Sequence, residues 1–249
     1  MRYKLKFLIE NDIEMDINYN LSLAEAIKNL VSPKYIEFID NGAFALNGRI
    51  YKPWTFSRLL PDKYLINNSK LIINNGYIEL ILSSIDENFL FSFLEGILRK
   101  KGLSIQNCFL PLNSISVINN KVRNILLCKS ISPLIVRDYE IMNIKEIDII
   151  NEVTKSIKTN LISKTKVFKK INVNAEQINI DILEQEKIKK KFIKIKTEKY
   201  LGFDLKLKIE APEEVNIIAY NCGIGIKNAL GFGCIEHLKI SDEKIVYRI

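Results

Sequence analysis

The chain has 249 residues, 47% of them hydrophobic, with 37 Lys and Arg against 29 Asp and Glu, a formal net charge of +8. That is material for one large folded unit or two small ones, and the lysine excess points to a polyanionic partner or to the codon usage that also enriches Ile and Asn. No apolar run approaches the roughly 18 residues of a membrane span, MRYKLKFLIENDIE lacks the apolar core of a signal peptide, and Cys108, Cys128, Cys222 and Cys234 form no CxxC pair, so neither a membrane nor a zinc site is expected, and reduced cytoplasmic thiols are.

Residues 2–9 alternate Tyr3, Leu5, Phe7 and Ile9 against Arg2, Lys4 and Lys6, the period of a half-buried strand. Ser22 and Glu25 form a capping-box pattern ahead of LAEAIKNLV, whose stripe of Leu23, Ala26, Ile27 and Leu30 is helical and which Pro33 ends. KPWTFSRLL reads as a strand, and LIINNGYIELIL as a hairpin about Asn74-Asn75-Gly76. A helix follows with Asp86 as N-cap and Gly102 beyond its end, and SIQNCFLPL is a further strand. The order β-α-β-β-α-β is the ferredoxin-like arrangement.

The second half reads the same way. Strand-like runs occupy 114–137, IKEIDIINEVTKSIKTNLISK is a helix, and INIDILEQEKIKKKFIKIKT and YLGFDLKLKIEA are two long strands. PEEVNIIAYNCG is a short helix with Pro212 near its first turn, and FGCIEHLKI is a final strand. The expected fold is α+β, two tandem ferredoxin-like domains with antiparallel sheets, residues 1–112 and 113–249.

Between the last helix and the last strand stands GIGIKNALGFG, residues 223–233, with four of the chain's ten glycines. Glycine permits positive φ and close backbone approach, so the string marks a loop that wraps a ligand or presses on its own fold. In this setting G-x-G-x-K-N-x-x-G-F-G resembles the RAMP superfamily, and within it the endoribonucleases that process CRISPR repeat RNA; MRYKLKF, SPKYIEFIDNG, KPWTFS and SISPLIV match in the same order.

The resemblance implies binding of CRISPR repeat RNA and one cut per repeat to give guide RNA. The 2′-hydroxyl attacks the adjacent phosphate, without metal or cofactor, and leaves a 2′,3′-cyclic phosphate and a 5′-hydroxyl. It carries a catalytic lysine onto Lys52. The histidine that many members place after the first helix is replaced by Asp40, and the tyrosine that partners it by Glu25; the single histidine, His237, lies on the last strand. An aspartate, with an ordinary pKa near 3.9, holds no proton for a leaving oxygen at neutral pH. The alternative is therefore an inactive repeat-RNA binder or an RNA-binding subunit of a CRISPR effector complex, and the partners implied extend from the RNA to such subunits and to a second copy of the chain. Expected RNA contacts are Gly223, Gly225, Lys227, Asn228, Gly231 and Gly233 in the loop, Lys189, Lys190, Lys191 and Lys194 in the lysine run, and Arg49 and Arg58 beside Lys52. Trp54, Phe56 and His237 read as structural.

Overall fold

A computed structural model describes residues 1–136 and 146–238, with side chains from residue 150 onward in the second segment. In the first half, β1 (Arg2–Ile9) leads to β2 (Ile13–Asp16), α1 (Asn20–Lys28) and α2 (Pro33–Asp40). Short strands β3 (Ala45–Leu46) and β4 (Arg49–Ile50) form a hairpin, followed by β5 (Trp54–Phe56), β6 (Leu60–Pro61), β7 (Tyr64–Asn67), β8 (Lys70–Ile73) and β9 (Gly76–Ser84). Helix α3 (Glu87–Lys100), β10 (Gly102–Ile105) and β11 (Cys108–Val117) complete it.

The main sheet runs β10-β11-β1-β9-β5, antiparallel throughout. Without the β10 hairpin this is the fourth-first-third-second strand order of a ferredoxin-like unit. The alternation of β1 is borne out for Tyr3, Leu5, Phe7 and Ile9, all buried, but Arg2 is not an outward residue: it is 1% exposed. Its guanidinium donates to the carbonyls of Ile235 (2.6 Å) and Tyr220 and lies 3.6 Å over the Tyr220 ring, which ties the first strand to the second half of the chain.

Three local expectations change. Helix α1 begins at Asn20, so Ser22 lies inside it and makes no cap hydrogen bond. Pro33 starts a second helix rather than ending the first, which stops at Lys28, because its fixed φ suits the opening turn and its missing N–H would have no partner there. The hairpin about Asn74-Asn75-Gly76 does not form. β8 pairs instead with β2 and β7, closing a positive-φ turn at Asn68-Ser69, while β9 joins the main sheet. Asp12 holds the crossing by accepting from Asn75 N (2.8 Å) and Asn74 Nδ2 (3.1 Å). Asp86 caps α3 as expected, accepting from Asn88 N at 2.9 Å.

In the second half, β12 (Ile125–Ser130) and β13 (Leu134–Ile135) precede α4 (Glu146–Lys169) and β14 (Asn179–Leu183). Strands β15 (Lys189–Ile195), β16 (Glu198–Asp204) and β17 (Lys206–Glu210) follow, then α5 (Glu213–Cys222) and β18 (Ile235–His237). The sheet order β14-β17-β12-β18 repeats the ferredoxin-like pattern. Each long strand expected over 178–197 and 200–211 is two strands. Their outer halves, β15 and β16, leave the sheet as a hairpin that pairs with β13. The part of the final strand beyond Leu238 lies outside the described residues.

Helix α5 packs against β12 and β18 of its own sheet and also against β5 and β9 of the other, which seats the two halves against each other. β11 carries the first sheet through Val117, five residues past 112. We propose that the units divide in the connection after it, residues 118–124.

Candidate RNA-binding and catalytic site

The glycine-rich loop is pressed onto the fold. A 3₁₀ turn at Asn228–Leu230 packs on β5 and α1, Ile226 N donates to Ile135 O (2.8 Å), and Gly233 N donates to Pro133 O (2.8 Å). Gly223, Gly225, Gly231 and Gly233 all have positive φ. The requirement is sharpest at two of them. A Cβ at Gly233 would stand 1.9 Å from Ile224 O, and one at Gly225 would stand 2.3 Å from Ile135 O, both on backbone that cannot yield cheaply.

Two side chains clamp the loop from inside. Asn228, 7% exposed, donates through Nδ2 to Ile224 O and Phe232 O, both at 2.9 Å. Its Oδ1 accepts from Lys164 Nζ at 2.6 Å. Lys164 lies on α4 and is 3% exposed; its ammonium also donates to Gly223 O (2.7 Å) and Gly225 O (3.3 Å). Burial pushes this lysine down to about 7, with the Arg49 charge acting in the same direction and Cys222 opposing. Three acceptors for three N–H groups favour the ammonium form, because a neutral amine has only two donors.

The motif does not point to Lys164, yet the sequence holds a signal for it. Val153, Ile157, Leu161 and Lys164 lie on one helical stripe of α4, and Asn160 sits beside it; all five are buried. Two polar residues on an apolar stripe are rarely accidental, because each needs a partner.

Between α4, the loop and β4 lies a cleft of about 270 Å³ lined by Arg49, Tyr51, Lys52, Asn160, Lys164, Lys227 and the backbone of Gly225–Leu230. Four cations line it and, among the described residues, no carboxylate does, so it is suited to an anion. Lys227, in left-handed backbone at φ +60°, holds its Nζ 5.2 Å from the Tyr200 ring centre.

Lys52 reaches the cleft from just before β5. Outside the lining, its ammonium binds the Asp40 carboxylate at the C-terminal end of α2, and Lys28 of α1 meets the other oxygen at 3.3 Å. The hydrogen bond from Lys52 holds Asp40 below the usual carboxylate range against the opposing effect of burial, with the Lys52 charge and Lys28 adding to it.

Arg58 and Lys191 lie elsewhere. Arg58 Nη2 meets Asp204 Oδ1 at 2.5 Å and Lys191 Nζ meets Oδ2 at 2.6 Å, so the two share one carboxylate. Burial works to raise Asp204, but these two cations outweigh it and hold the carboxyl low. Lys189, Lys190 and Lys194 are exposed on β15. Lys194 and Lys196 line a second cleft, about 300 Å³, on the other side of Leu230 from the first. Trp54 is stacked on Phe89 at 4.3 Å and Phe56 is fully buried, so both belong to the core. His237 pairs with Cys128 in the second sheet. Among the described residues no three His, Cys, Asp or Glu side chains cluster as metal ligands, and no helix is long and apolar enough to cross a membrane.

Residues 118–237 match the family model for CRISPR associated protein Cas6, C-terminal. The chain is 27% identical over 257 residues to CRISPR-associated endoribonuclease Cas6 1 of Methanocaldococcus jannaschii, covering 98% of this chain and 95% of that one. Among solved structures it resembles one described as CRISPR associated protein Cas6 (TM-score 0.73, 23% identity, 96% and 99% of the two chains). It also resembles a Cas6-related gene product from Pyrococcus furiosus (0.77, 19%, 97% and 99%) and an RAMP protein binding different RNA substrates (0.77, 21%, 96% and 100%). Tandem ferredoxin-like units, the glycine-rich loop between the last helix and last strand, and these matches agree: residues 118–237 match the Cas6 C-terminal model, and the chain as a whole is similar to Cas6 proteins.

Proposed function

We propose that the protein binds CRISPR repeat RNA and cleaves it once by metal-independent attack of a 2′-hydroxyl on the adjacent phosphate. The observation that carries this reading is the cleft with Arg49, Lys52, Lys164 and Lys227 in its lining and no acid among the described lining residues, built against a glycine-rich loop of the family's pattern. The endoribonuclease name of the Methanocaldococcus relative supports it.

In this account Arg49 and Lys227 hold the scissile phosphate from two sides. Lys52 donates hydrogen bonds and charge to its oxygens; the 2′-hydroxyl gives its proton to solvent water as the O2′–P bond forms, and as the P–O5′ bond breaks Lys52 supplies a proton to the leaving oxygen and takes one back from solvent. A donor aimed at charge that develops only in the transition state contributes roughly 10²–10³-fold. Asp40 is not a surrogate for the histidine, since a carboxyl held below its ordinary range carries no proton at neutral pH. It is a positioning residue that holds Lys52 at the cleft mouth. Lys164 and Asn228 act through the loop, by keeping its backbone in shape. The RNA strand passes over Leu230 from the first cleft to the second, where Lys194 and Lys196 stand, and Lys189 and Lys190 extend the positive surface. Arg58 and Lys191 contribute through the fold of the hairpin, being paired with Asp204. The reaction takes place in the cytoplasm.

A second reading, binding without cutting, is favoured by one fact: Asp40 neutralises Lys52 in the free protein. Incubating repeat RNA with pure protein in EDTA and analysing the 3′ ends separates the two, because only the first gives a cyclic phosphate.

A further inference from the structure

Asn160 is 8% exposed, lines the cleft, and its side-chain oxygen is buried with no hydrogen-bond partner. A buried acceptor left unpaired is costly, so its retention calls for an explanation. The nearest candidate donor in sequence, Lys164 one turn along α4, is spent: its three N–H groups go to Gly223 O, Gly225 O and Asn228 Oδ1. The other side-chain amide in the lining, Asn228, is spent as well, with Oδ1 accepting from Lys164 and Nδ2 donating inside the loop.

The cleft thus holds cations for a phosphate and one idle amide acceptor. Phosphate oxygens donate nothing, so the part of an RNA ligand that can satisfy Asn160 is an N–H or O–H. RNA offers that chemistry from two sources, the 2′-hydroxyl and the amino or imino groups of a base. We propose that Asn160 accepts a hydrogen bond from such a donor on the nucleotide lodged in this cleft, which makes it a specificity-determining residue of the site. The inference rests on the RNA-binding reading above.

The test is a binding series with a cleavage-resistant repeat RNA carrying one deoxynucleotide at the scissile position, since the attacking 2′-hydroxyl faces its phosphate and is not the donor proposed. Each remaining nucleotide is replaced singly by its 2′-deoxy form, or by a base lacking the donor: purine riboside for adenosine, inosine for guanosine. Wild type should lose about tenfold in affinity at one position, the size of one hydrogen bond. Asn160→Ala should lose about tenfold on the parent RNA and nothing further at that position. A deoxy effect assigns the 2′-hydroxyl, and a base effect assigns the amine. Asn160→Leu, which removes the unpaired group and keeps the branched shape and heavy-atom count, should match or exceed the wild-type Tm.

If wild type binds and Asn160→Ala is additive with every substitution, the subsite is overturned while RNA binding stands. If Asn160→Leu lowers Tm by several degrees, the residue is structural and the proposal falls. If wild type binds no repeat RNA, the RNA reading fails and takes the subsite with it.

Discussion

The Asp40 carboxylate and the Lys52 ammonium form a direct ion pair, with Asp40 standing where the family resemblance expects histidine. The aspartate therefore acts on the lysine. Asp40→Asn should lower the cleavage rate about tenfold and leave RNA affinity within about twofold, the pattern of a group felt in the transition state. Because both residues act through one ammonium, adding Asp40→Asn to Lys52→Ala should cost nothing more. Single-turnover rates for the four proteins check this.

Asp40 also sets a pH dependence. Its folded pKa lies below the ordinary value, so the pair contributes stability above the unfolded carboxylate pKa and loses it as pH falls through the lower folded value. With about half of the Asp40 side chain open to water the effect is small. Acid unfolding of Asp40→Asn should therefore run close to that of wild type, slightly less stable near neutrality and converging with it at low pH.

Lys164→Met leaves Gly223 O, Gly225 O and Asn228 Oδ1 without their donor. Each buried unpaired acceptor costs about 1–3 kcal/mol, so Tm should fall markedly and repeat-RNA binding with it. The sign of the linkage is the same as for Asp40, with the window moved to high pH. A lysine lowered to about 7 binds its proton more weakly folded than unfolded, so between about pH 7 and the ordinary lysine value near 10.5 wild type gains stability with rising pH. Lys164→Met lacks this gain. Denaturant unfolding across that range compares the two.

Gly233→Ala would press a Cβ to within 1.9 Å of Ile224 O in left-handed backbone. We expect a loss of more than about 2 kcal/mol by denaturant unfolding, together with loss of RNA binding.

The lysine run should divide by face. Lys190→Ala with Lys194→Ala should reduce the log–log salt slope of single-stranded RNA binding by about 1.4, at about 0.7 for each phosphate left without its cation. Lys191→Ala removes a partner of Asp204 and should lower stability more than it changes the slope. Affinity measured at several salt concentrations separates the two variants.

Much of this could be read from residue order. The alternation of Tyr3, Leu5, Phe7 and Ile9, the Asp86 cap and the glycine string each report a local requirement of the backbone, and the doubled β-α-β-β-α-β order follows from them. What could not be read depends on partners distant in sequence. Asn74-Asn75-Gly76 has the composition of a hairpin turn, but β8 finds β2 and β7 and β9 finds β1, a choice made by sheet pairing. Arg2 sits in a polar register and is buried because Ile235 O and Tyr220 O, more than two hundred residues away, accept from it. At the site, Lys52, Asp40, Arg49 and the loop glycines were accessible through the motif. Lys164 and Asn160 lie outside the motif; their place on or beside the apolar stripe of α4 marks them as buried, but the loop carbonyls that hold Lys164 stand 59 residues on.

The central claim is tested most directly by incubating wild type and Lys52→Ala with repeat RNA in EDTA and resolving the 3′ ends of the products. The account predicts a single cut by wild type with a 2′,3′-cyclic phosphate, slowed about 10²-fold or more in Lys52→Ala with affinity nearly unchanged. Tight binding by wild type with no cyclic-phosphate product, or a Lys52→Ala variant that cuts at the wild-type rate, would contradict it.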